Sequence, residues 1–490
     1  MHNLGSLLCL LLALADPPPS SGPTAGSPLE VVAALESALA DAIAKAEPSV
    51  VAIAREKGED DVTTAVRGRG QEAEGAAGLL GGPDRALVMR GRIDVMPNEG
   101  FGPDQISFDF GSGVVVGTRG EILTAFHVVR GAKRLHVRAM GKQSFDAEII
   151  AADPRSDLAV IVPKAGTGIT PPRLTPMPIG NATKLRKGSF LLALGNPFNA
   201  AGQDGRPSAT WGILSNVARR LEVTQEEPRS LKNYPTLLQL DAKLNLGMSG
   251  GAVINLHGEL VGLTSNSANA AGFDSQAGYA IPMDAMGRRA LETLKQGKEV
   301  EYGFLGVSLD TETLSNRVKS AQAGTPAAEG EVHANDAILS VGDIPINDVD
   351  SLYLAINYFT PGSNVILKLL RQDETLERTV QLAKAPVDGE VIATNRPSPW
   401  RGLHIDYTST MPQTNFGPGV LDAMARGGVR ITEVEASSPG EKAGLKKGQI
   451  IKSVGGRSVR NPREFVKAVA NLAGPVKLDT DHGPFSVNVN

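Results

Sequence analysis

Cysteine is almost absent. The chain has 490 residues and one cysteine, Cys9. It lies in an apolar stretch, Leu7 to Ala15, with the length of a signal-peptide core and a small-x-small site at Ala13-Leu14-Ala15. If residues 1–15 are removed on export, the mature chain has no cysteine, and disulfides cannot hold it together. Aromatic residues are scarce at 4%, whereas there are 55 glycines and 32 prolines, a balance that favours short strands and turns over long helices. Net charge is −4 with no basic stripe, which excludes nucleic acid as the expected partner. No run reaches about 18 apolar residues, so no membrane span is expected in the mature chain. No Gly-Lys-Ser/Thr phosphate loop is present, so ATP use is not expected. No His/Cys/Asp cluster has ligand spacing, so neither metal nor cofactor is expected.

What is present divides along the chain. Residues 16–28 read as a polar, Pro-rich spacer. Residues 29–46 carry Val32, Leu35, Leu39 and Ile43 at helical spacing, ended by Pro48. A polar, Gly-rich stretch over 55–105 has no period and reads as a surface insertion. From Phe108 to about Ile281, short apolar runs alternate with Gly, Pro, Asn and Asp turns, the pattern of an all-β barrel or sandwich. Two later segments repeat one another, from Gly324 and from Ala436, each a Ser/Thr-Pro turn, short helix, Ile-rich strand, amphipathic helix and strand.

The chemistry centres on "NLGMSGGAVINLHGELVGL", Asn245 to Leu263. Its Gly-x-Ser-x-Gly fits two kinds of hydrolase. A nucleophile elbow needs a helix after the serine. Here "GAVIN", the turn "LHGE" and "LVGLTS" form a hairpin, so the elbow and the esterase reading that goes with it fail. The order His, Asp, Ser belongs instead to two-barrel serine proteases. His127 in "ILTAFHVV" and Asp157 in "DPRSDLAVIVP" supply it, with Asp153 as a rival acid. A serine hydroxyl is a poor nucleophile at neutral pH. His127 would take its proton, Asp157 would hold the imidazole, and the N–H groups of Gly247 and Ser249 would face the oxyanion.

The ordered set "PSVVAI", "GSGVVVGTRGEILTAFHVV", "DPRSDLAVIVP", "ALGNPF", "SATWGILSNVARR", "LQLDAKLNLGMSGGAVINLHGELVGLTS" and "GYAIPMD" resembles the HtrA (DegP/DegS-like) family of trypsin-fold serine endoproteases with PDZ domains. The resemblance covers most of residues 48–490. It implies a mostly β fold: a trypsin-like double β-barrel protease domain over 29–300, then two PDZ-like α+β domains over 301–385 and 400–490, joined by a linker over 386–399. It implies the triad His127, Asp157 and Ser249, and the oxyanion hole Gly247 with Ser249. It places Leu260, Val261, Gly262, Leu263 and Thr264 along the strand that lines the primary specificity pocket. It places the peptide-carboxylate loops of the PDZ-like domains at Tyr302–Val307, with Phe304, Leu305, Gly306 and Val307 as binding residues, and at Arg401–Ile405. It further implies unfolded-protein substrates, C-terminal peptide ligands, a homo-trimer or larger assembly, and an exported location in the periplasm or cell envelope.

Two departures bear on activity. Met248 stands where the family usually has Asn, and Phe126 adds bulk before the histidine, so the oxyanion turn is expected to be set differently. A catalytically silent chaperone or PDZ scaffold is the alternative that these substitutions raise. The first repeat is also irregular, with "GEVHANDAILSVGD" in place of the family's pattern, while the second keeps "SSPGEKAGLKKGQII".

Overall fold

The computed structural model describes residues 27–57, 109–165, 172–202, 204–219, 237–265, 278–309, 315–387, 389–410 and 427–489. The expected signal peptide, nearly all of the spacer and most of the 55–105 insertion lie outside the described residues.

The N-terminal helix runs Pro28–Ala46. Ser27 opens it as a capping box: its hydroxyl accepts the Glu30 N–H, and the Glu30 carboxylate accepts the Ser27 N–H at 2.6 Å. Pro28 fills the first turn, where no N–H is needed. Leu39 and Ile43 pack on the core, and Leu29, Val31 and Val32 remain exposed.

Two six-stranded antiparallel barrels follow, as expected. The first is built from β1 (Val50–Lys57), β2 (Asp109–Val115), β3 (Ile122–Ala125), β4 (Ala132–Ala139), β5 (Gln143–Asp153) and β6 (Leu158–Pro163). Pairings run β5-β4-β1-β2-β3-β6, and β6 returns to β5 to close the cylinder. The second, also closed, is built from β7 (Phe190–Gly195), β8 (Ser208–Arg219), β9 (Leu237–Leu240), β10 (Ala252–Ile254), β11 (Leu260–Thr264) and β12 (Gly278–Pro282). Closure leaves no unpaired strand edge.

The strands are apolar on both faces because both faces are covered. Along β6, Ala159 and Ile161 fill the first barrel, while Leu158 and Val160 join the layer between the barrels. Along β7, Leu191 and Ala193 fill the second barrel, while Leu192 and Leu194 join the same shared layer. Period-two alternation therefore reads as a continuous apolar run. The helix Ala285–Lys295 seals this layer with Met286, Ala290, Leu291 and Leu294.

Two smaller α+β units complete the chain, each with its own core. Their amphipathic helices are Val349–Tyr358 and Pro462–Val469. The expected linker between them is not a free tether. Ile392 and Ala393 pair with Ala152 and Ala151, adding a seventh strand beside β5. A second tie is Lys384, 3% exposed, whose ammonium meets Glu299 at 2.8 Å, Asp406 at 3.0 Å and Glu301 at 3.5 Å.

Candidate active site

Strand register brings the histidine and the aspartate together. β3 and β6 are antiparallel neighbours with Ala125 opposite Leu158. His127 follows the end of one, and Asp157 precedes the start of the other. The Phe126 N–H donates to the Asp157 carbonyl at 2.9 Å, which continues the ladder to the site. Asp157 itself sits at φ +54°, a left-handed conformation uncommon outside glycine.

The Asp157 carboxylate holds His127 at two points. Oδ2 lies 2.8 Å from ring Nδ1, and Oδ1 accepts the His127 N–H at 3.0 Å. The imidazole is thereby fixed in orientation, with Nε2 left for a proton donor. The Asp157 side chain is 4% exposed and that of His127 is 34% exposed, so the carboxylate is shielded and the ring is open to a substrate. Burial disfavours the imidazolium, and Arg55 and Arg130 oppose it. The adjacent Asp157 charge and hydrogen bond outweigh them, and the His127 pKa is raised above its ordinary value. The Ser265 hydroxyl also reaches Asp157 Oδ2, at 3.5 Å.

Ser249 lies in the turn that leads into β10, pinned between the barrels. From the first barrel, the Ser112 N–H donates to the Ser249 carbonyl at 2.8 Å. The Ser112 hydroxyl donates to the Gly247 carbonyl at 2.8 Å and accepts the Asn196 N–H at 2.8 Å. From the second barrel, the Thr264 hydroxyl donates to the Met248 carbonyl and accepts the Gly251 N–H. Gly247 takes φ +93°, and a Cβ there would lie 2.3 Å from the Asn196 carbonyl oxygen, so this position admits only glycine.

Met248 does not strain the turn as expected. The left-handed angles fall on Gly247 and Gly250, on either side of Met248 and Ser249. The Met248 side chain is buried in the second barrel with Leu191, Leu240 and Val253. Phe126 is likewise buried in the first barrel.

Leu260 to Thr264 form β11, all buried and paired on both sides, with β10 and β12, and Thr264 anchors the serine turn. Two expectations change. Asp153 is no rival acid: it is turned away from His127 and accepts from Ser156, the Arg155 N–H and the Tyr302 hydroxyl. Tyr302 is correspondingly buried against the barrel and not part of a carboxylate loop. The supporting residues Ser112, Thr264 and Arg55, which donates to the His127 carbonyl at 3.3 Å, were not identified as such from sequence. Ser112 alone had a cue, as a lone hydroxyl in "GSGVVV".

Comparisons with known proteins bear on the family. Residues 111–263 match the trypsin-like peptidase domain model, and 303–382 and 430–479 match PDZ domain models. The chain is 30% identical over 404 residues to the periplasmic pH-dependent serine endoprotease DegQ of Escherichia coli (strain K12), covering 79% of this chain and 81% of that one. The chain belongs to the HtrA family. It is 28% identical over 406 residues to the periplasmic serine endoprotease DegP of Salmonella typhimurium, covering 80% of this chain and 78% of that one. Among solved structures, the HtrA-type protease AlgW with tripeptide matches at 24% identity and a TM-score of 0.49, over 71% of this chain and 97% of that one. As an HtrA protein the chain is a trypsin-fold serine endoprotease that acts on protein substrates, and like its curated relatives it is periplasmic. No helix among the described residues is long and apolar enough to cross a membrane.

Proposed function

We propose that this HtrA protein is an ATP-independent endoprotease of envelope quality control, cleaving unfolded proteins through His127, Asp157 and Ser249. The observation that carries the reading is the two-point hold of Asp157 on His127 beside the doubly anchored Ser249 turn. The Ser249 hydroxyl attacks the scissile carbonyl as His127 Nε2 takes its proton. The N–H groups of Gly247 and Ser249 receive the oxyanion, each contributing about 3 kcal/mol in sites of this kind. The imidazolium, steadied by Asp157, then protonates the leaving amine, and water completes the cycle by the same route. The first PDZ domain binds peptide C-termini through the loop Phe304–Val307, and the assembly is a homo-trimer or larger. The unstrained backbone at Met248 supports a working turn over the silent-scaffold alternative.

Fluorophosphonate labelling with mass mapping tests the assignment, run beside casein digestion and with Ser249→Ala as control. Label on Ser249 together with digestion is expected. Absence of both, with unfolded protein and C-terminal peptides supplied, would return the scaffold reading.

A further inference from the structure

The two PDZ domains differ at the loop where a peptide C-terminus would dock. In the first, Phe304-Leu305-Gly306-Val307 leads into the strand Val307–Leu309. In the second, Trp400-Arg401-Gly402-Leu403 leads into the strand Leu403–Tyr407. Shared hydrogen bonds fix the correspondence. The Ala327 and Gln322 N–H groups donate to the carbonyls of Leu305 and Gly306 at 2.8 and 2.9 Å. The Gly440 and Glu435 N–H groups donate to the carbonyls of Arg401 and Gly402 at 3.0 and 2.8 Å. Phe304 therefore matches Trp400, Leu305 matches Arg401 and Val307 matches Leu403. Among the described residues, each following strand pairs with one neighbouring strand and has its other side at the sheet edge. That edge is where an extended peptide adds.

The chain before the loop takes opposite courses. In the first domain Gly303 and Phe304 pair with Lys384 and Ala383, away from the edge strand. Leu305 is buried in a cluster with Leu309, Leu352 and Ile356. In the second domain Trp400 folds back on Leu403. The Trp400 N–H donates to the Leu403 carbonyl at 3.1 Å, and the Leu403 N–H donates to the Trp400 carbonyl at 2.9 Å. Arg401 at φ +52° and Gly402 at φ +79° form the tight left-handed turn that such closure requires. Both N–H and C=O of a strand residue face the same side. The two groups of Leu403 that would meet an incoming strand are thus engaged by the protein's own backbone.

Side chains lock this turn. The Arg401 guanidinium donates to the carbonyls of Val487 and, at 2.7 Å, Gly474. It also lies 4.6 Å from the centre of the Trp400 ring. The indole stands edge-on to Phe465 of the helix Pro462–Val469, with centroids 5.7 Å apart. The helix side of the would-be groove is therefore tied to the turn.

We propose that the second PDZ domain is capped by its own Trp400 turn and takes no peptide C-terminus. Each chain then carries one receptor, in the first domain, for an extended peptide with a free carboxylate and an apolar last side chain. The proposal rests on the reading of Phe304–Val307 as a peptide loop.

Isothermal titration of the full-length Ser249→Ala protein with a decapeptide ending in valine tests it, with the carboxamide form of the peptide as control. One peptide per chain is expected, with at least about tenfold weaker binding of the carboxamide, which lacks the charge the loop N–H groups favour. Val307→Asp should abolish the site by setting a like charge beside the carboxylate, and Ile405→Asp should leave it unchanged. Two peptides per chain, or one that survives Val307→Asp and is lost in Ile405→Asp, would overturn the capping while leaving peptide recognition intact. No binding by the parent protein would instead remove the reading of the first loop, and the proposal with it. The stoichiometry needs no loop variant, so misfolding of one does not blunt the test.

Discussion

The Tyr302 hydroxyl donates to the carboxylate of Asp153, four residues before Asp157. Asp153 in turn accepts the N–H groups of Arg155 and Ser156, and so shapes the turn that holds Asp157 at its left-handed angle. Burial raises the Asp153 pKa, and the hydrogen bonds from Ser156 and Tyr302 offset this only in part. Arg155 and Arg289 lie over the Tyr302 ring at 4.8 and 5.6 Å, and both reach Asn357 at the end of the helix Val349–Tyr358. Tyr302→Phe should therefore cost about 1 kcal/mol of positioning, roughly a fivefold fall in kcat with little change in KM. Peptide hydrolysis measures both constants, and unchanged kcat would detach Tyr302 from the site.

The pH profile should follow His127. Only neutral imidazole accepts the serine proton, so activity rises as pH climbs through the His127 pKa. Because Asp157 raises that pKa, the rising limb should lie above the ordinary imidazole value of about 6.5. Asp157→Asn should shift the limb to lower pH and reduce kcat about ten thousandfold. A profile flat from pH 5 to 8, roughly the range over which imidazoles titrate, would contradict His127 as the base.

The serine turn should depend on Thr264. Thr264→Val keeps the shape and removes the hydroxyl that bridges the Met248 carbonyl and the Gly251 N–H. The Met248 carbonyl keeps the Gly251 N–H at 2.9 Å and loses its second donor, a cost of about 1 kcal/mol. Fluorophosphonate labelling should slow by roughly fivefold at unchanged Ser249 identity. Labelling at the parent rate would show that the turn is held without Thr264.

Lys384 should be a keystone of domain packing. Burial disfavours its charge, but Asp406, Glu299 and Glu301 outweigh burial and raise its pKa. Lys384→Met leaves three carboxylates facing one another without a cation. The carboxylates left behind are 22–40% exposed, so water screens them and the cost is about 1–2 kcal/mol, below that of a fully buried cluster. Calorimetry should show an earlier first transition, and partial digestion should open the chain between the PDZ domains. An unaltered thermogram would place the domain contact elsewhere.

Much of this molecule is written locally. Val32, Leu35, Leu39 and Ile43 at helical spacing announce the first helix, and the short apolar runs announce the barrels. The motifs around His127, Asp157 and Ser249 carry their own flanking strands, so their order alone points to one site. What was not legible depends on contacts far apart in the chain. Ile392 on Ala152 joins residues 240 positions apart with only two strand residues to signal it. The hydroxyl of Thr264 binds the Met248 carbonyl 16 positions away, a contact that no local pattern around either residue signals. The PDZ pair inverts the sequence impression. The second repeat looks more regular, yet its loop is closed by a Trp and an Arg that its helix motif does not announce.

The strand at Ile392–Ala393 has one more consequence. A protease active site accepts a chain only in extended form, with its backbone groups available. Seated against β5, this part of the connection has its hydrogen bonds already engaged and must be pulled from the sheet before it can be cut. The stretch between the PDZ domains, rich in proline and polar residues, would otherwise be the obvious place for one copy to nick another. Docking it takes the Ile392–Ala393 backbone out of the form that the active site of a second copy could accept.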